Sequence, residues 1–318
     1  MIRISTPSRL HFGLFSLPTA GATTPRRQFG GVGLMVDQPG IKLSVAFAKN
    51  WSANGPLADR ALGIAQKYCA SVGIKDAFDL QFVAAAPEHT GLGTGTQLAL
   101  AVARAIAELT QQPSLDAVTL ATQVGRGKRS ALGIHGFDHG GFLVEGGKTV
   151  ESAISPLLIR REFPKDWNVL LITPSNLQGT HGRREIEMFA DLATCARNDR
   201  TTDALCRLVL LGMVPAMIER DLPTFGEALY DFNRLVGEMF QPVQGGVYAH
   251  LRIEELIKTL RDAGIKGVAQ SSWGPTIAAV VASERATEMR DRLIRKIGIA
   301  AEEILVTAAS NHGALLFT

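Results

Sequence analysis

The sequence predicts an α+β protein of two domains, on three observations. Alternating apolar and polar segments open the chain and give way to helical stretches. The pattern weakens over 152–166, where Pro156, Pro164 and Arg160-Arg161-Glu162 interrupt it, and a second series of strands and helices then begins. A length of 318 residues, 46% of them hydrophobic, supplies a core for each of two domains of ordinary size. The chain therefore divides into an N-terminal domain over 1–155 and a C-terminal domain over 165–318.

Taken in order, Met1 to Pro7, Gly31 to Val36 and Ile41 to Ala46 alternate as strands, and Leu57 to Val72 reads as a helix. Phe78 to Ala84 alternates again. It delivers the chain to a glycine-rich loop and to a helix over 97–111 that carries Leu98, Val102, Ile106 and Leu109. A helix over 114–124 and a strand at Phe142 to Glu145 complete the first half. The second half opens on the apolar strand Val169 to Ile172, followed by helical stretches near 184–197, 201–220 and 223–240. A helix over 249–263, strands at 267–270 and 276–282, a helix over 284–297 and strands at 304–309 and 314–317 make a ferredoxin-like pattern.

Composition excludes several function classes. A formal net charge of +3 is too mild to demand a nucleic-acid partner. No run approaches the ~18 apolar residues of a membrane span, and Met1-Ile2-Arg3-Ile4-Ser5 enters a strand without a signal peptide, so the expectation is a cytoplasmic protein with no membrane partner. Cys69, Cys195 and Cys206 are odd in number and widely spaced; each reads as a small helix hydrophobe, with neither disulfide nor zinc indicated.

The most informative segment is Pro87-Glu88-His89-Thr90-Gly91-Leu92-Gly93-Thr94-Gly95-Thr96-Gln97. Glycines there admit positive φ and close approach of a ligand to the backbone, and the first amides of the following helix lack helical partners, which suits an anion such as phosphate. A glycine-rich turn that caps a buried helix explains the same letters. Positive charge clusters once, in Arg126, Lys128 and Arg129 among Gly125, Gly127 and Ser130, which suits a tight loop better than a solvated helix face.

Three segments together resemble the GHMP superfamily, named for galactokinase, homoserine kinase, mevalonate kinase and phosphomevalonate kinase: Ser5 to Phe12, Pro87 to Gln97, and Ser271-Ser272-Trp273-Gly274-Pro275-Thr276. The resemblance implies an N-terminal domain like domain 2 of ribosomal protein S5, a ferredoxin-like C-terminal domain and a site between them. Many of these kinases carry an aspartate three residues after a serine and about seven before a Gly-Gly pair. Here Ser130 and Gly140-Gly141 keep that spacing but the position is Gly133, and Asp138 lies five residues too late. The carboxylate that would polarise an acceptor hydroxyl is missing.

A closer resemblance is to the β-ribofuranosylaminobenzene 5′-phosphate synthases of the same superfamily. It rests on Ser8-Arg9-Leu10-His11-Phe12-Gly13-Leu14, Gly127-Lys128-Arg129-Ser130, Phe137 with Gly140-Gly141-Phe142, and Gln270 to Pro275. It implies decarboxylating transfer of a phosphoribosyl group from phosphoribosyl pyrophosphate to 4-aminobenzoate or 4-hydroxybenzoate, with release of CO2 and pyrophosphate, on the way to methanopterin-type carriers. Magnesium would travel with the diphosphate, and no organic cofactor is expected. A GHMP kinase and a non-catalytic phosphate or nucleotide sensor remain the alternatives.

On this resemblance the candidate catalytic residues are Arg9, His11, Arg129 and Ser130. The alternation of Arg9 and His11 with Leu10 and Phe12 puts both polar groups on one strand face. Phosphate would fall to Gly91, Leu92, Gly93, Thr94, Gly95, Thr96 and Gln97 with Arg126 and Lys128, and Arg129 is the leading cation of the loop. Substrate contacts would come from His89, His181, Arg183, Ser271, Ser272, Trp273 and Gly274; a turn role fits His89 equally, a helix start with Thr180 as cap fits His181, Arg183, Arg184 and Glu185 almost as well, and a core anchor is the slightly commoner role for a tryptophan such as Trp273. Metal ligands are unassigned; Asp37 and Glu145 are left as possible metal or ring-amine contacts. Leu205, Leu208, Val209 and Leu211 suit either a homodimer face or a core.

Overall fold

The computed structural model describes residues 1–17, 27–180, 182–193 and 199–317. The chain runs through β1 (Ile2–Ser16), β2 (Phe29–Ala48), β3 (Ser52–Asn54), α1 (Ala58–Val72), β4 (Ala77–Ala84), α2 (Thr94–Leu109), α3 (Ala117–Gln123), α4 (Leu132–His139), β5 (Phe142–Glu145) and β6 (Leu157–Arg161). It continues through β7 (Trp167–Ile172), α5 (Gly182–Leu192), α6 (Asp199–Leu208), α7 (Val214–Glu219), α8 (Leu222–Gln244), α9 (Leu251–Asp262), β8 (Gly267–Gln270), β9 (Ile277–Ala282), α10 (Ala286–Arg292), β10 (Ile304–Ala308) and β11 (Leu315–Phe317).

The first sheet is ordered β11-β1-β2-β4-β3, with β5 pairing β2 and β6 pairing β5. Near its first end, Ile2, Ile4, Leu43, Val45, Phe78 and Leu80 pack on Leu98, Val102 and Ile106 of α2. Farther along β1 and β2, Leu10, Phe12, Val32 and Leu34 join a second core with Trp167, Val169, Phe225, Leu229 and Phe232. That core crosses from one domain to the other, so the seam between them is packed.

The second sheet is ordered β10-β7-β9-β8, all antiparallel, which is the fourth, first, third and second strand of a βαββαβ unit. Side chains alternate as the strand period requires: Val169 and Leu171 face α8, whereas Leu170 and Ile172 face Ile253, Leu256 and Ile257 of α9 and Met289 of α10. Asp221 caps α8 by accepting the Thr224 amide at 3.0 Å.

Two boundaries need correction. Residues 157–161 are a strand of the first sheet, so the N-terminal unit does not stop at 155. Leu315–Phe317 returns to pair with β1 through Ser5↔Leu315, so the C-terminal strand completes the first sheet and not the ferredoxin-like one. Both corrections concern long-range pairing, which local alternation cannot specify. The structure also has α4 between 124 and 142, where the sequence pattern assigns no element.

Leu205 and Val209 are fully buried and belong to the core, while Leu210, Leu211 and Ile218 are exposed. The suggested dimer face therefore loses two of its four members. One helical stretch, Arg200–Glu219, is long and apolar enough by length and composition to cross a membrane, contrary to the sequence expectation. Its buried face packs on α8 as a core helix does. Cys69 and Cys206 are free thiols, and burial raises the Cys69 pKa to about 11; Cys195 lies outside the described residues.

Candidate active site

The glycine loop is pinned from three sides. From β1, the Arg9 amide donates to Leu92 O at 2.9 Å. From the β8–β9 loop, Ser271 Oγ donates to Gly91 O at 2.8 Å and accepts the His11 amide at 3.0 Å. From the 174–180 loop, the Gly179 amide donates to His89 O at 2.8 Å. Ser272 N also donates to His11 O at 2.8 Å, so β1, the glycine loop and the Ser271–Gly274 turn form one unit.

The helix begins earlier than the sequence suggested. Gly93, with φ 71°, is the N-cap of α2, and Thr94, Gly95 and Thr96 form its first turn. The amides of Thr96 and Gln97 already donate to Gly93 O, at 3.0 and 3.2 Å. Free donors at this helix start are thus those of Thr94 and Gly95, and not a series beginning at Gln97.

A cavity of about 280 Å3 opens between the two domains. Its lining combines a cationic and polar set, Arg9, Arg126, Lys128, Arg129, Ser130 and Thr96, with an aromatic and apolar set, Phe189, Phe240, Trp273, Val236 and Val247, and the two sets meet where the Arg129 guanidinium lies over Phe189. Trp273 packs on Phe189 at 4.9 Å and edge-on to Phe240 at 5.1 Å between ring centroids. Its indole N–H donates to Gln244 Oε1 at 3.0 Å, which fixes the ring at the wall.

The structure brings nine of the expected residues to this cavity: Arg9, His11, Thr96, Arg126, Lys128, Arg129, Ser130, Ser272 and Trp273. Others support it from behind. Gly91 and Gly274 interlock with the Ser271 and Thr90 backbone, Leu92 is core, Thr94 Oγ1 donates to Pro87 O, and Gly95 lies against the Arg60 guanidinium. Gln97 is buried with its Nε2 donating to Gly133 O at 2.7 Å. Their side chains and Cα positions serve the framework, because the loop turns inward to close the interdomain seam, which leaves the main-chain amides of Thr94 and Gly95 as the donors this loop can offer a ligand. His89 is an exposed turn residue at φ 59°. Arg183 has 92% of its side chain exposed and pairs with Glu187; His181 lies outside the described residues.

Ser130 is also recast. Its hydroxyl donates to Glu145 Oε1 at 2.5 Å, and the Ala131 amide donates to Glu145 Oε2 at 2.7 Å. Glu145 is fully buried and holds the basic loop to the start of α4; burial raises its carboxyl pKa against those hydrogen bonds. It is an anchor, not a metal or ring-amine contact, and Asp37 is not in the cavity wall. Among the described residues no group of three His, Cys, Asp or Glu could hold a metal ion.

Gly133 does lie beside the loop: a Cβ built on it would stand 3.6 Å from Gln97 Nε2 and from Thr96 Cγ2. The place where the kinases put an acid is therefore present but empty of a carboxylate. Sequence reasoning missed Phe189, Phe240, Asn233, Gln244 and Arg60, and left Glu185, grouped with His181, Arg183 and Arg184, between an interdomain site and a plain helix start. The one available signal was the i, i+4 spacing of Glu185 and Phe189, which puts both on one face of α5. Asn233 joins the domains: its Nδ2 donates to Phe12 O at 2.7 Å and to Gln270 O at 3.0 Å, and its Oδ1 accepts the Gln270 amide at 2.8 Å.

Electrostatics follow burial. Arg9 is half-buried with its guanidinium over the loop, and burial pulls its pKa down to about 10 against the opposing pull of Glu145 and Glu185. Burial, then the Arg9 charge, holds His11 well below its ordinary 6.5, so the imidazole stays neutral. The unfolded chain takes up that proton near pH 6.5 and the folded chain does not, so His11 costs stability as pH falls below 6.5 and nothing above it. His11→Gln should flatten the fall of Tm between pH 6.5 and 5, read by thermal melts across that window; an unchanged slope would contradict the assignment.

The comparisons with known proteins agree with this geometry. Residues 59–146 match the GHMP kinases N terminal domain and residues 213–299 the GHMP kinases C terminal domain. A β-ribofuranosylphenol 5′-phosphate synthase of Methanocaldococcus jannaschii is 31% identical, and one of Archaeoglobus fulgidus 33%, each alignment covering 98% of both chains. The chain belongs to the β-ribofuranosylphenol 5′-phosphate synthase family. Members of this family share the two-domain GHMP fold with more distant proteins. A mevalonate diphosphate decarboxylase from Staphylococcus aureus has a TM-score of 0.64 at 14% identity, covering 100% of this chain and 99% of that one. A homoserine kinase from Cytophaga hutchinsonii has a TM-score of 0.62 at 16% identity, covering 99% and 97%. Identity that low speaks for the fold alone.

Proposed function

We propose that this family member joins phosphoribosyl pyrophosphate to an aromatic acid, with release of CO2 and pyrophosphate, in the synthesis of methanopterin-type carriers. The observation that carries the reading is a cavity lined both by the cations Arg9, Arg126, Lys128 and Arg129 and by the rings of Phe189, Phe240 and Trp273, with Gly133 where a kinase would need its acid. The phenol in the relatives' names favours 4-hydroxybenzoate over 4-aminobenzoate as acceptor. Magnesium would enter with the diphosphate.

The chemistry asks for charge stabilisation more than proton transfer. As the bond from the anomeric carbon to pyrophosphate breaks, Arg126, Lys128 and Arg9 take up the leaving charge. The ring carbon that bears the carboxylate forms the new bond to the anomeric carbon. The bond to the carboxylate then breaks, its electron pair restores the aromatic ring, and CO2 leaves. No base is needed for that step, and His11, whose charged form burial and then Arg9 disfavour, stays neutral in the cavity wall.

Incubation with phosphoribosyl pyrophosphate and 4-hydroxybenzoate should release CO2 and pyrophosphate in equal amounts. ADP formed from ATP and a small alcohol, without CO2, would instead support the kinase, and tight phosphate binding without turnover the sensor. Trp273→Leu should raise KM for the aromatic acid roughly 3- to 10-fold, since an aromatic contact of this kind contributes about 0.5–1.5 kcal/mol. A lower Tm with unchanged KM would leave Trp273 as an anchor only.

A further inference from the structure

Glu185 is the one carboxylate in the cavity wall among the described residues, and it stands in a wall that otherwise carries Arg9, Arg126, Lys128 and Arg129. It pairs with Arg129 at 2.7 Å. The Arg129 guanidinium also lies over the Phe189 ring, 4.6 Å from its centroid, and Phe189 is one turn after Glu185 on α5. Phe189 in turn packs on Trp273. Arg129 therefore stands on the aromatic wall, its guanidinium carbon over a ring and its Nη2 on a carboxylate, while Arg126 and Lys128 remain for the diphosphate.

We propose that Glu185 is a positioning residue that competes with the carboxylate of the aromatic acid for Arg129. The inference rests on the function proposed above. An aromatic acid whose ring lies along the Phe189–Trp273 wall would present its carboxylate to the guanidinium that touches that wall, Arg129. A carboxylate held firmly by an arginine is stabilised in the bound ground state, yet the same charge disappears as the ring–carboxylate bond breaks and CO2 forms. Binding of that kind is lost at the transition state and slows the step. Glu185 offsets it: the guanidinium is shared, the substrate carboxylate is held loosely, and Glu185 takes Arg129 back as CO2 departs. The electron pair of the broken bond goes to the ring, and Glu185 neither gains nor loses a proton.

The test uses the full chain and Glu185→Gln, which keeps the shape and removes the charge. With saturating inorganic pyrophosphate present, the Kd of 4-hydroxybenzoate measured by calorimetry should tighten about 3- to 10-fold, and kcat should fall by a similar factor, so that KM and kcat drop together. Adding Arg129→Gln should abolish the tightening. Unchanged or weaker binding in Glu185→Gln, or tighter binding with undiminished kcat, would overturn the proposal. Glu185→Asp, whose shorter arm withdraws from Arg129, serves if Glu185→Gln does not fold, and should move both quantities the same way by less. Absence of turnover by the unaltered protein would instead refute the proposed function, and the binding comparison would still decide the competition.

Discussion

Gly91→Ala is expected to lower kcat/KM by at least ~100-fold and Tm by roughly 5–10 °C, from about 3 kcal/mol or more of overpacking and left-handed strain. Gly91 has φ 91°, and a Cβ built on it would fall 2.2 Å from Ser271 O and 3.2 Å from Gly274 Cα. Both neighbours are backbone, so no side chain can swing aside. Relief requires the Ser271 turn to move off the glycine loop, which breaks the Ser271 Oγ bonds to Gly91 O and from the His11 amide. Gly73→Ala is the control: its φ of 77° is also left-handed, but nothing lies within 4 Å of its Cβ. That variant should lose only about 1 kcal/mol and keep full activity. Equal losses in the two variants, read by thermal melts and steady-state rates, would mean that strain and not the interdomain contact matters.

Arg9→Met should cost about 10²- to 10³-fold in kcat/KM, as removal of a charge-stabilising donor from a water-poor site does. Its Tm should stay within a few degrees of the unaltered protein. The reason is that burial already disfavours the Arg9 charge, pulling its pKa to about 10, so an apolar chain of similar length relieves a desolvation cost while leaving Glu145 its hydrogen bonds from Ser130 and Ala131. Arg9→Lys should recover part of the activity, since it restores the charge without the planar fork. A large fall in Tm with activity lost in proportion would make Arg9 a structural residue instead.

The difference between Arg9 and Arg129 could not be read from the sequence. Both are arginines in motifs of the family, and Arg129 was the stronger candidate because it sits in the basic cluster. Its partner Glu185 is 56 positions away in sequence on a helix of the other domain, as counted from the chain numbering. Ser130 and Glu145 are a similar case: a hydroxyl near the loop reads as chemistry until the buried carboxylate that accepts its hydrogen bond is located.

What the sequence determined by itself is whatever local covalent preference dictates. Strand alternation gave the ferredoxin-like order of elements, and glycine content fixed the loop where backbones come within van der Waals contact. Set against the pattern of the kinases it resembles, the spacing from Ser130 to Gly140-Gly141 marked Gly133 as the position that lacks their acid. Tertiary structure alone decided which edge β6 and β11 join, which side chains face the cavity, and that Phe189, Phe240 and Trp273 make one wall. Those outcomes depend on burial shared between segments far apart in the chain, and periodicity reports that a face is apolar without reporting what covers it.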